Sequence, residues 1–196
     1  DLELCYKEDA TVEHRKARFE ACTGGNYDAF MRMSNYHNKF GESENYTNFN
    51  HRFLGRYIFW QDILEGLYES HLEGRPMSGY YRENAEAMKQ YHGKFEDLYR
   101  FSEKVFEYVA VKSEIAEKLV PAYKSNDRKT VRYISDQLVP LAAKHISDIR
   151  VMHRNLIRKL SGTMPFAPLD CRYGGMAVRC ETVKLLLDEY LEGKIN

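Results

Sequence analysis

The stretch VRYISDQLVPLAAKHISDIRVMHRNLIRKL, residues 131–160, decides the fold class. Apolar side chains recur in it at intervals of three and four residues: Val131, Ile134, Leu138, Leu141, Ile149, Met152, Leu156 and Leu160, with His145 on the same line. That spacing places them on one face of a helix. We therefore predict a helix from the N-cap Asp127 to Leu160, bent at Pro140 and ended by Ser161-Gly162.

The same periodicity predicts helices on both sides of this segment. They cover about residues 12–22, 27–33, 56–71, 78–109, 111–123 and 175–191, and the helix at 111–123 can continue the one before it. Residues 34–55 and 162–175 are predicted loops; one as long as 34–55 is usually functional or packed on another surface. No linker divides the chain. We predict one all-α domain over residues 1–196, a helical bundle of three to four long helices plus short N-terminal helices.

Composition excludes several classes of protein. The 196 residues carry 29 Lys and Arg against 29 Asp and Glu, so the net charge is zero. A nucleic-acid binder or a binder of anionic membranes needs a basic excess, and we expect neither partner. No run approaches the roughly 18 apolar residues of a membrane span. The chain is also shorter than a complete (β/α)8 barrel of about 250 residues.

The cysteines and the first residue bear on the cellular context. Cys5, Cys22, Cys171 and Cys180 form no Cys-x-x-Cys pair, so we predict free thiols and a reducing, cytoplasmic compartment. The chain starts at Asp1 without a Met, and we expect it to be an excised segment of a longer protein.

No standard catalytic motif is present. The sequence has no phosphate-binding glycine loop, His-Glu-x-x-His, Gly-x-Ser-x-Gly or zinc-spaced Cys/His set, and we expect no cofactor and no metal. Adjacent carboxylates are expected on solvated helix faces rather than flanking a glycosidic bond. These pairs are Glu8-Asp9, Glu96-Asp97 and Asp188-Glu189.

Several other polar side chains stand out by their position. His145 and His92 lie on apolar faces and are predicted to be hydrogen-bonded core histidines, since Ile149 breaks the ladder from His145 to His153. Arginines follow one another at intervals of four on the long helix, at Arg150, Arg154 and Arg158. Like charges at that spacing repel by a few tenths of a kcal/mol. The face is therefore either solvated and balanced by neighbouring helices, or it forms a salt-bridged contact with another domain or subunit.

Two short segments carry the candidate binding residues. Trp60, the only tryptophan, lies in Phe59-Trp60-Gln61-Asp62 at the start of a predicted helix, as a packing anchor or as a face for a sugar or a base. In Asp170 to Gly175 the two glycines predict a tight turn before a helix N-terminus. Asp170 and Arg172 either pair with each other there or reach a ligand.

Taken together, separated segments in a fixed order resemble the C-terminal helical domain of bacterial family 20 glycoside hydrolases, the β-N-acetylhexosaminidases. The segments are Arg18-Phe19 through Thr23-Gly24, Tyr27-Asp28-Ala29-Phe30, Tyr57 to Asp62 with Gly66-Leu67-Tyr68, Leu119 to Asp127, Pro165-Phe166 through Leu169-Asp170, Arg172-Tyr173-Gly174-Gly175, Arg179 and Tyr190-Leu191-Glu192-Gly193. Residues 162–168 depart from the Asn-Lys-Pro-Phe-Gly of the family and keep only Pro-Phe, so we predict a packing role for them.

The resemblance implies a catalytic (β/α)8 barrel upstream of Asp1. In such enzymes an Asp orients the 2-acetamido group, which attacks as the internal nucleophile, and the adjacent Glu is the general acid. Asp188-Glu189 has the right letters but lies in a predicted helix, so no catalytic residue is carried over to this chain. The resemblance implies a non-catalytic accessory domain of an exo-β-N-acetylhexosaminidase that removes terminal N-acetylhexosamine from glycans.

The expected partners are this chain's own upstream barrel, a second copy in a homodimer, and a glycan bound by the whole enzyme. Trp60, Asp62, Arg172 and Tyr173 are the candidates for a substrate-rim or interface contact. The rival hypothesis is a free-standing helical protein-interaction module; exposed apolar surface on the first third of the chain would argue against it. A small-molecule or metal binder in the bundle core ranks last, because the long helices lack Glu-x-x-His.

Overall fold

The computed structural model describes residues 11–36, 54–66, 77–161 and 165–195. Over these ranges the chain forms helices and no strand: α1 (Val12–Thr23), α2 (Tyr27–Ser34), α3 (Leu54–Trp60), α4 (Met77–Met88), α5 (Glu96–Lys124), α6 (Arg128–Tyr133), a π-helical turn (Ile134–Leu138), α7 (Val139–Ser161) and α8 (Ala167–Leu191). The predicted all-α bundle is therefore confirmed. Within the described ranges, no helix combines the length and the apolarity that crossing a bilayer requires.

Helices α4 and α5 form an antiparallel hairpin. At the start of α4 the Ser78 hydroxyl donates to Glu117 near the end of α5, with 2.6 Å between the oxygens. At the other end Arg100 donates to the carbonyl of Met88 at 2.6 Å. The start of α4 therefore contacts the end of α5, and the end of α4 contacts the start of α5, as in any antiparallel pair.

Helix α7 packs antiparallel to α5 and to α8. The His153 ring lies 5.2 Å from the ring of Phe101 on α5, and its Nδ1 is 2.8 Å from the Tyr173 hydroxyl on α8. At the other end of the α8 contact, Ser135 of the π-helical turn donates to Asp188 at 2.6 Å. These four helices therefore form the bundle in the order α4, α5, α7, α8, and α5, α7 and α8 are the long ones.

Helix α5 lies at the centre of the bundle. Every residue of 108–115 is buried, including the polar Lys112, Ser113 and Glu114. A helix buried around its whole circumference is a core helix, and buried charges need partners. Arg82 and Lys118 pair with Glu114, so that carboxylate is compensated.

The predicted helix over residues 127–160 is confirmed, with a π-helical turn before Pro140. The Asp127 side chain accepts from the backbone N–H of Thr130 at 3.1 Å and caps α6. Pro140 has no N–H, and its ring would clash with the carbonyl four residues earlier. The wider turn absorbs this clash, and the N–H of Val139 bonds to the carbonyl of Ile134, five residues back.

The prediction of one helix over 78–109 is wrong, because the chain leaves the helix between Met88 and Glu96. Gly93 has φ +106°, a conformation that glycine adopts without strain and that no helix tolerates. Beyond this break α5 runs on through residues 111–123, as the sequence allowed. His92 lies in the break with its side chain 66% exposed, bonded to Glu96 at 2.9 Å. Its prediction as a core histidine is also wrong.

The prediction of one helix over 56–71 is wrong within the described residues, because α3 ends at Trp60. Trp60 therefore lies in the last turn of a helix rather than at its start. The two short N-terminal helices are confirmed as α1 and α2, and Gly24 ends α1 in the left-handed conformation with φ +67°. Most of the loop predicted at 34–55, namely residues 37–53, lies outside the described residues, as do residues 67–71.

The tight turn predicted over Asp170–Gly175 is wrong. Helix α8 begins at Ala167, about two turns earlier than predicted, and Gly174 and Gly175 lie inside it. Pro168 suits the first turn of a helix, where its missing N–H has no intrahelical partner to lose. Burial of Tyr173 against the rest of the bundle offsets the helix penalty of the glycines, about 1 kcal/mol each.

Candidate functional site

A cavity of about 340 Å³ lies where the end of α3, the middle of α5 and the first half of α8 meet. Trp60, Asp62, Lys112, Arg172 and Arg179 are among the residues that line it. We call it the polar cavity. Its lining combines two aromatic rings, of Trp60 and Tyr108, with charges of both signs, the mixture typical of a ligand site.

Asp62 organises the turn at one wall of the polar cavity. Its Oδ1 accepts from the backbone N–H groups of Leu64 at 2.8 Å and Glu65 at 3.0 Å. Arg179 of α8 donates to both of its oxygens, at 2.7 and 3.2 Å. Partial burial opposes ionisation, but these hydrogen bonds outweigh it and lower the pKa of Asp62 to about 2. Asp62 is therefore a carboxylate at any physiological pH.

Trp60 is held by two neighbouring residues of α8. The Arg172 guanidinium lies 3.9 Å from the centre of the indole ring, a close cation–π contact. The Tyr173 ring stacks on the same indole, with centroids 5.4 Å apart and planes at 28°. Tyr173 is buried and its hydroxyl bonds to His153. The indole therefore has a fixed orientation.

Lys112 brings a buried positive charge to the polar cavity. The residue is 4% exposed, and its Nζ donates to the backbone carbonyls of Phe59 at 3.1 Å and Gln61 at 2.5 Å. These two carbonyls lie at the end of α3, where helix carbonyls lack intrahelical donors and attract cations. Lys112 thus fixes the α3 end against α5.

Gln61 supplies an unsatisfied acceptor. Its Oε1 is buried and has no hydrogen-bond partner among the described residues. Buried side-chain oxygens are rarely left without a donor, so this atom is a natural place for a ligand hydroxyl or amide.

A second cavity lies on the other side of Trp60 and is apolar. It measures about 190 Å³ and is lined mainly by aromatic rings, among them Tyr36, Phe59, Phe106 and Tyr173. Trp60 contributes to both cavities. The Trp60 side chain therefore borders both a polar and an aromatic cavity.

The structure brings the four candidates from the sequence together. Trp60, Asp62 and Arg172 line the polar cavity, and Tyr173 lies behind Trp60. Asp170 and Arg172 do not form the pair considered for the predicted turn, because Asp170 accepts from Arg150 of α7 at 3.3 Å.

The other polar residues noted in the sequence have separate roles. Of the arginine row, Arg150 meets the acidic Asp170, whereas Arg154 and Arg158 are exposed. His145 is buried as predicted, but its Nδ1 has no hydrogen-bond partner among the described residues and lies 3.7 Å from a Glu107 oxygen. Burial, followed by the charge of nearby Lys104, lowers the pKa of His145, and the charge of Glu107 opposes this shift.

Three of the four described carboxylates in the adjacent pairs contact polar side chains. Glu96 contacts His92, Asp97 contacts Lys159, and Asp188 contacts Ser135 and Lys184. Glu8-Asp9 lies outside the described residues. Over the part of the chain that the structure describes, no three His, Cys, Asp or Glu side chains gather as a metal site requires.

Sequence reasoning missed Lys112 and Gln61 as cavity residues. Lys112 stands four residues after Tyr108 and three before Ile115, so it lies on the apolar face of α5. A lysine on an apolar face signals a buried charge that needs acceptors. Nothing in the sequence signals Gln61, because its position depends on where α3 ends.

The fold and this site define an all-α bundle domain with a ligand-sized polar cavity between its helices. The chain belongs to the Glycoside Hydrolase 20C C-terminal domain family, whose model matches residues 28–196. The match includes all four candidate residues and begins after α1. No curated protein matches the chain.

Proposed function

We propose that this chain is the non-catalytic helical part of a family 20 exo-β-N-acetylhexosaminidase, an enzyme that removes terminal N-acetylhexosamine from glycans. The observation that carries the proposal is the family match over residues 28–196. The contacts of Glu96, Asp97 and Asp188 with His92, Lys159 and Lys184 support a non-catalytic role, because a glycosidase needs two carboxyls free to face one bond.

Its proposed work is to cover a flank of the upstream catalytic barrel and to lend residues to the substrate rim or to a dimer contact. The candidates remain Trp60, Asp62, Arg172 and Tyr173. Their mutual contacts support this role, because a rim residue must be held in one orientation to position a glycan. The free thiols of Cys22, Cys171 and Cys180 suit the cytoplasmic compartment that we propose.

Hydrolysis of a chromogenic β-N-acetylglucosaminide tests the proposal. The 196-residue chain alone should show no turnover, whereas the enzyme carrying its catalytic part should hydrolyse the substrate. Turnover by the chain alone that Asp188→Asn or Glu189→Gln abolishes would contradict the proposal. The control is Glu181→Gln on α8, an exposed carboxylate away from that pair.

The second candidate is a free-standing helical protein-interaction module. Val178 and Leu185 favour it, because they lie seven residues apart on α8 and are 59% and 64% exposed. The described residues of the first third expose two large apolar side chains, Val12 and Met31. Co-expression with the catalytic part separates the two hypotheses: a stable complex supports the hydrolase, and two independently purified proteins support the module.

A further inference from the structure

We propose that the polar cavity binds a small sugar acid, with its carboxylate held by the basic side chains and its hydroxyls held by Gln61 and Asp62. The choice of a sugar acid among small carboxylates rests on the proposed function, because an enzyme that acts on glycans meets sugars as ligands. The existence of an anion site rests on the cavity alone.

The charge of the lining favours an anion. Lys112, Arg172 and Arg179 face the cavity with Asp62 as the carboxylate among its lining residues. Asp62 forms a two-point ion pair with Arg179 and so compensates that cation. Lys112 donates to the backbone carbonyls of Phe59 and Gln61 at the end of α3. The lining therefore carries more positive than negative formal charge, and Arg172 is the cation on it that stacks on an aromatic ring.

Arg172 is the side chain available to grip the anion. Its guanidinium rests on the Trp60 ring, and its N–H groups have no hydrogen-bond acceptor among the described residues. A guanidinium presents a fork of donors that matches a carboxylate, and stacking on an indole fixes its plane without using those donors. Arg172 is thus oriented in advance for a two-point contact.

The acceptors in the lining require hydroxyl or amide donors on the same ligand. Gln61 Oε1 is buried without a donor from the described residues. Asp62 is ionised, and a carboxylate can accept further hydrogen bonds from a ligand. A simple anion such as phosphate or acetate offers the charge but not a row of hydroxyls. A monosaccharide carrying a carboxylate offers both.

The dimensions fit this class of ligand. About 340 Å³ lies at the lower end of the roughly 300–1,000 Å³ of small-molecule sites, whereas the aromatic cavity behind Trp60 is too small at about 190 Å³.

The sole tryptophan makes binding measurable on the chain itself. Trp60 lines the cavity and is the only source of indole emission among the 196 residues. Titration with glucuronate should change that emission saturably. Glucose, which has a similar size without the charge, and inorganic phosphate, which has the charge without a row of sugar hydroxyls, should each bind at least ten-fold more weakly.

Variants identify the site. Arg172→Gln should weaken glucuronate binding ten-fold or more, and Gln61→Leu should reduce the preference for glucuronate over phosphate. Arg154→Gln, which removes an exposed arginine from α7, should leave the affinity for glucuronate and the preference for glucuronate over phosphate unchanged. Calorimetric titration repeats each measurement, because Arg172→Gln also alters the surroundings of the indole.

Three outcomes overturn the proposal: no saturable response to glucuronate, equal binding of glucuronate and glucose, or unchanged affinity in Arg172→Gln. Phosphate binding as tight as glucuronate binding overturns the assignment to a sugar acid. The titration needs no catalytic part, so its failure leaves the turnover and co-expression tests of the proposed function standing.

Discussion

Asp62 shows how one side chain can end a helix and join distant parts of a chain. It accepts two backbone N–H groups from the residues that follow it, at Leu64 and Glu65, and so stabilises a turn instead of another helical turn. The remaining contact, from Arg179, joins positions 117 residues apart. The local turn and the long-range pair support each other, because each fixes the carboxylate that the other needs.

Asp62→Asn should destabilise the chain by at most about 2 kcal/mol near pH 6, the linkage equivalent of lowering the pKa from 3.8 to about 2. A depressed pKa stabilises the fold above pH 4, and this stabilisation is lost as the pH falls toward 2. Urea unfolding of both chains at several pH values should show the difference shrinking over that range.

The matched control is Asp170→Asn. Asp170 also pairs with an arginine, Arg150, but both side chains are nearly half exposed. Surface pairs contribute under about 1 kcal/mol, so this substitution should have the smaller effect at pH 6. Equal effects of the two substitutions would show that the Asp62 pair gains nothing from its backbone hydrogen bonds.

His145 should make stability sensitive to mild acid. Burial lowers its pKa below the usual 6.5; Lys104 and Glu107 face it from α5, and Lys144 and Asp148 flank it on α7. A histidine with a lowered pKa takes up its proton first in the unfolded chain, so stability falls as the pH drops below about 6.5.

Thermal unfolding of the wild type and His145→Gln between pH 8 and pH 5 measures this effect. The melting temperature of the wild type should fall relative to that of the variant at the acidic end. His153, whose pKa is also lowered by burial, is present in both chains and cancels in the difference. A difference that stays constant with pH would contradict the assignment.

At the scale of elements, the glycine pair of α8 is the clearest departure from local preference. Gly174 and Gly175 lie in a continuous 25-residue helix, and a Cβ placed on either would meet no atom within 4 Å. Neither has a positive φ. No contact in the described part of the chain requires glycine at these positions.

Alanine at either position should therefore stabilise the chain by about 0.5–1 kcal/mol, the difference in helix propensity. Gly25→Ala is the contrast, because its Cβ would lie 2.9 Å from Phe95 in a packed aromatic cluster, and it should destabilise. Chemical denaturation of the three variants provides the test. Destabilisation by Gly174→Ala or Gly175→Ala would show that the pair is needed within this chain.

The helices that could be predicted from the sequence are those in which the spacing of the apolar residues agrees with the capping residues at the ends. Residues 127–160 combine a strong three-four period with an N-cap at Asp127, and the helix forms there. The period alone could not reveal the break at Gly93, since apolar residues continue across it. At Gly174-Gly175 the error was the opposite one, a turn predicted where a helix forms. Two adjacent glycines favour a turn locally, but burial of Tyr173 stabilises the helix.

The residues of the candidate site could be predicted from the sequence only in part, because long-range contacts bring them together. Trp60 and Arg172 stand out by residue type, and their meeting at 3.9 Å depends on the path of α8. The roles of Lys112 and Gln61 follow from the end of α3 at Trp60, which Asp62 fixes through contacts with α8. Contacts between residues far apart in sequence are invisible to patterns within a segment.

At the scale of the whole molecule, burial is concentrated in the bundle. Helices α4, α5, α7 and α8 supply most of the buried side chains, whereas α1 buries none of its residues. Helix α1 is attached by Phe19, whose ring lies 5.1 Å from Phe30, by the Lys16–Asp28 ion pair, and by the carbonyl of Thr23, which accepts from Lys94 at 2.7 Å. The bundle should therefore unfold as one unit, with α1 opening separately.

Removing residues 1–23 should leave the bundle folded. Among residues 11–23 the loss comprises the contacts of the Phe19 ring with Tyr27 and Phe30, the exposed Lys16–Asp28 ion pair, and hydrogen bonds to Tyr27, Gly25 and Lys94. Together these contribute about 2–4 kcal/mol, which corresponds to a fall of less than about 16 °C in the melting temperature. Removing residues 187–196 should cost more, because Leu187 and Leu191 are buried and the carbonyl of Leu191 accepts from Arg128. Circular dichroism and thermal unfolding of both truncated chains make the comparison. The family match begins at residue 28, after α1. If the chain without residues 1–23 no longer unfolds cooperatively, then the segment that matches the family does not fold without α1.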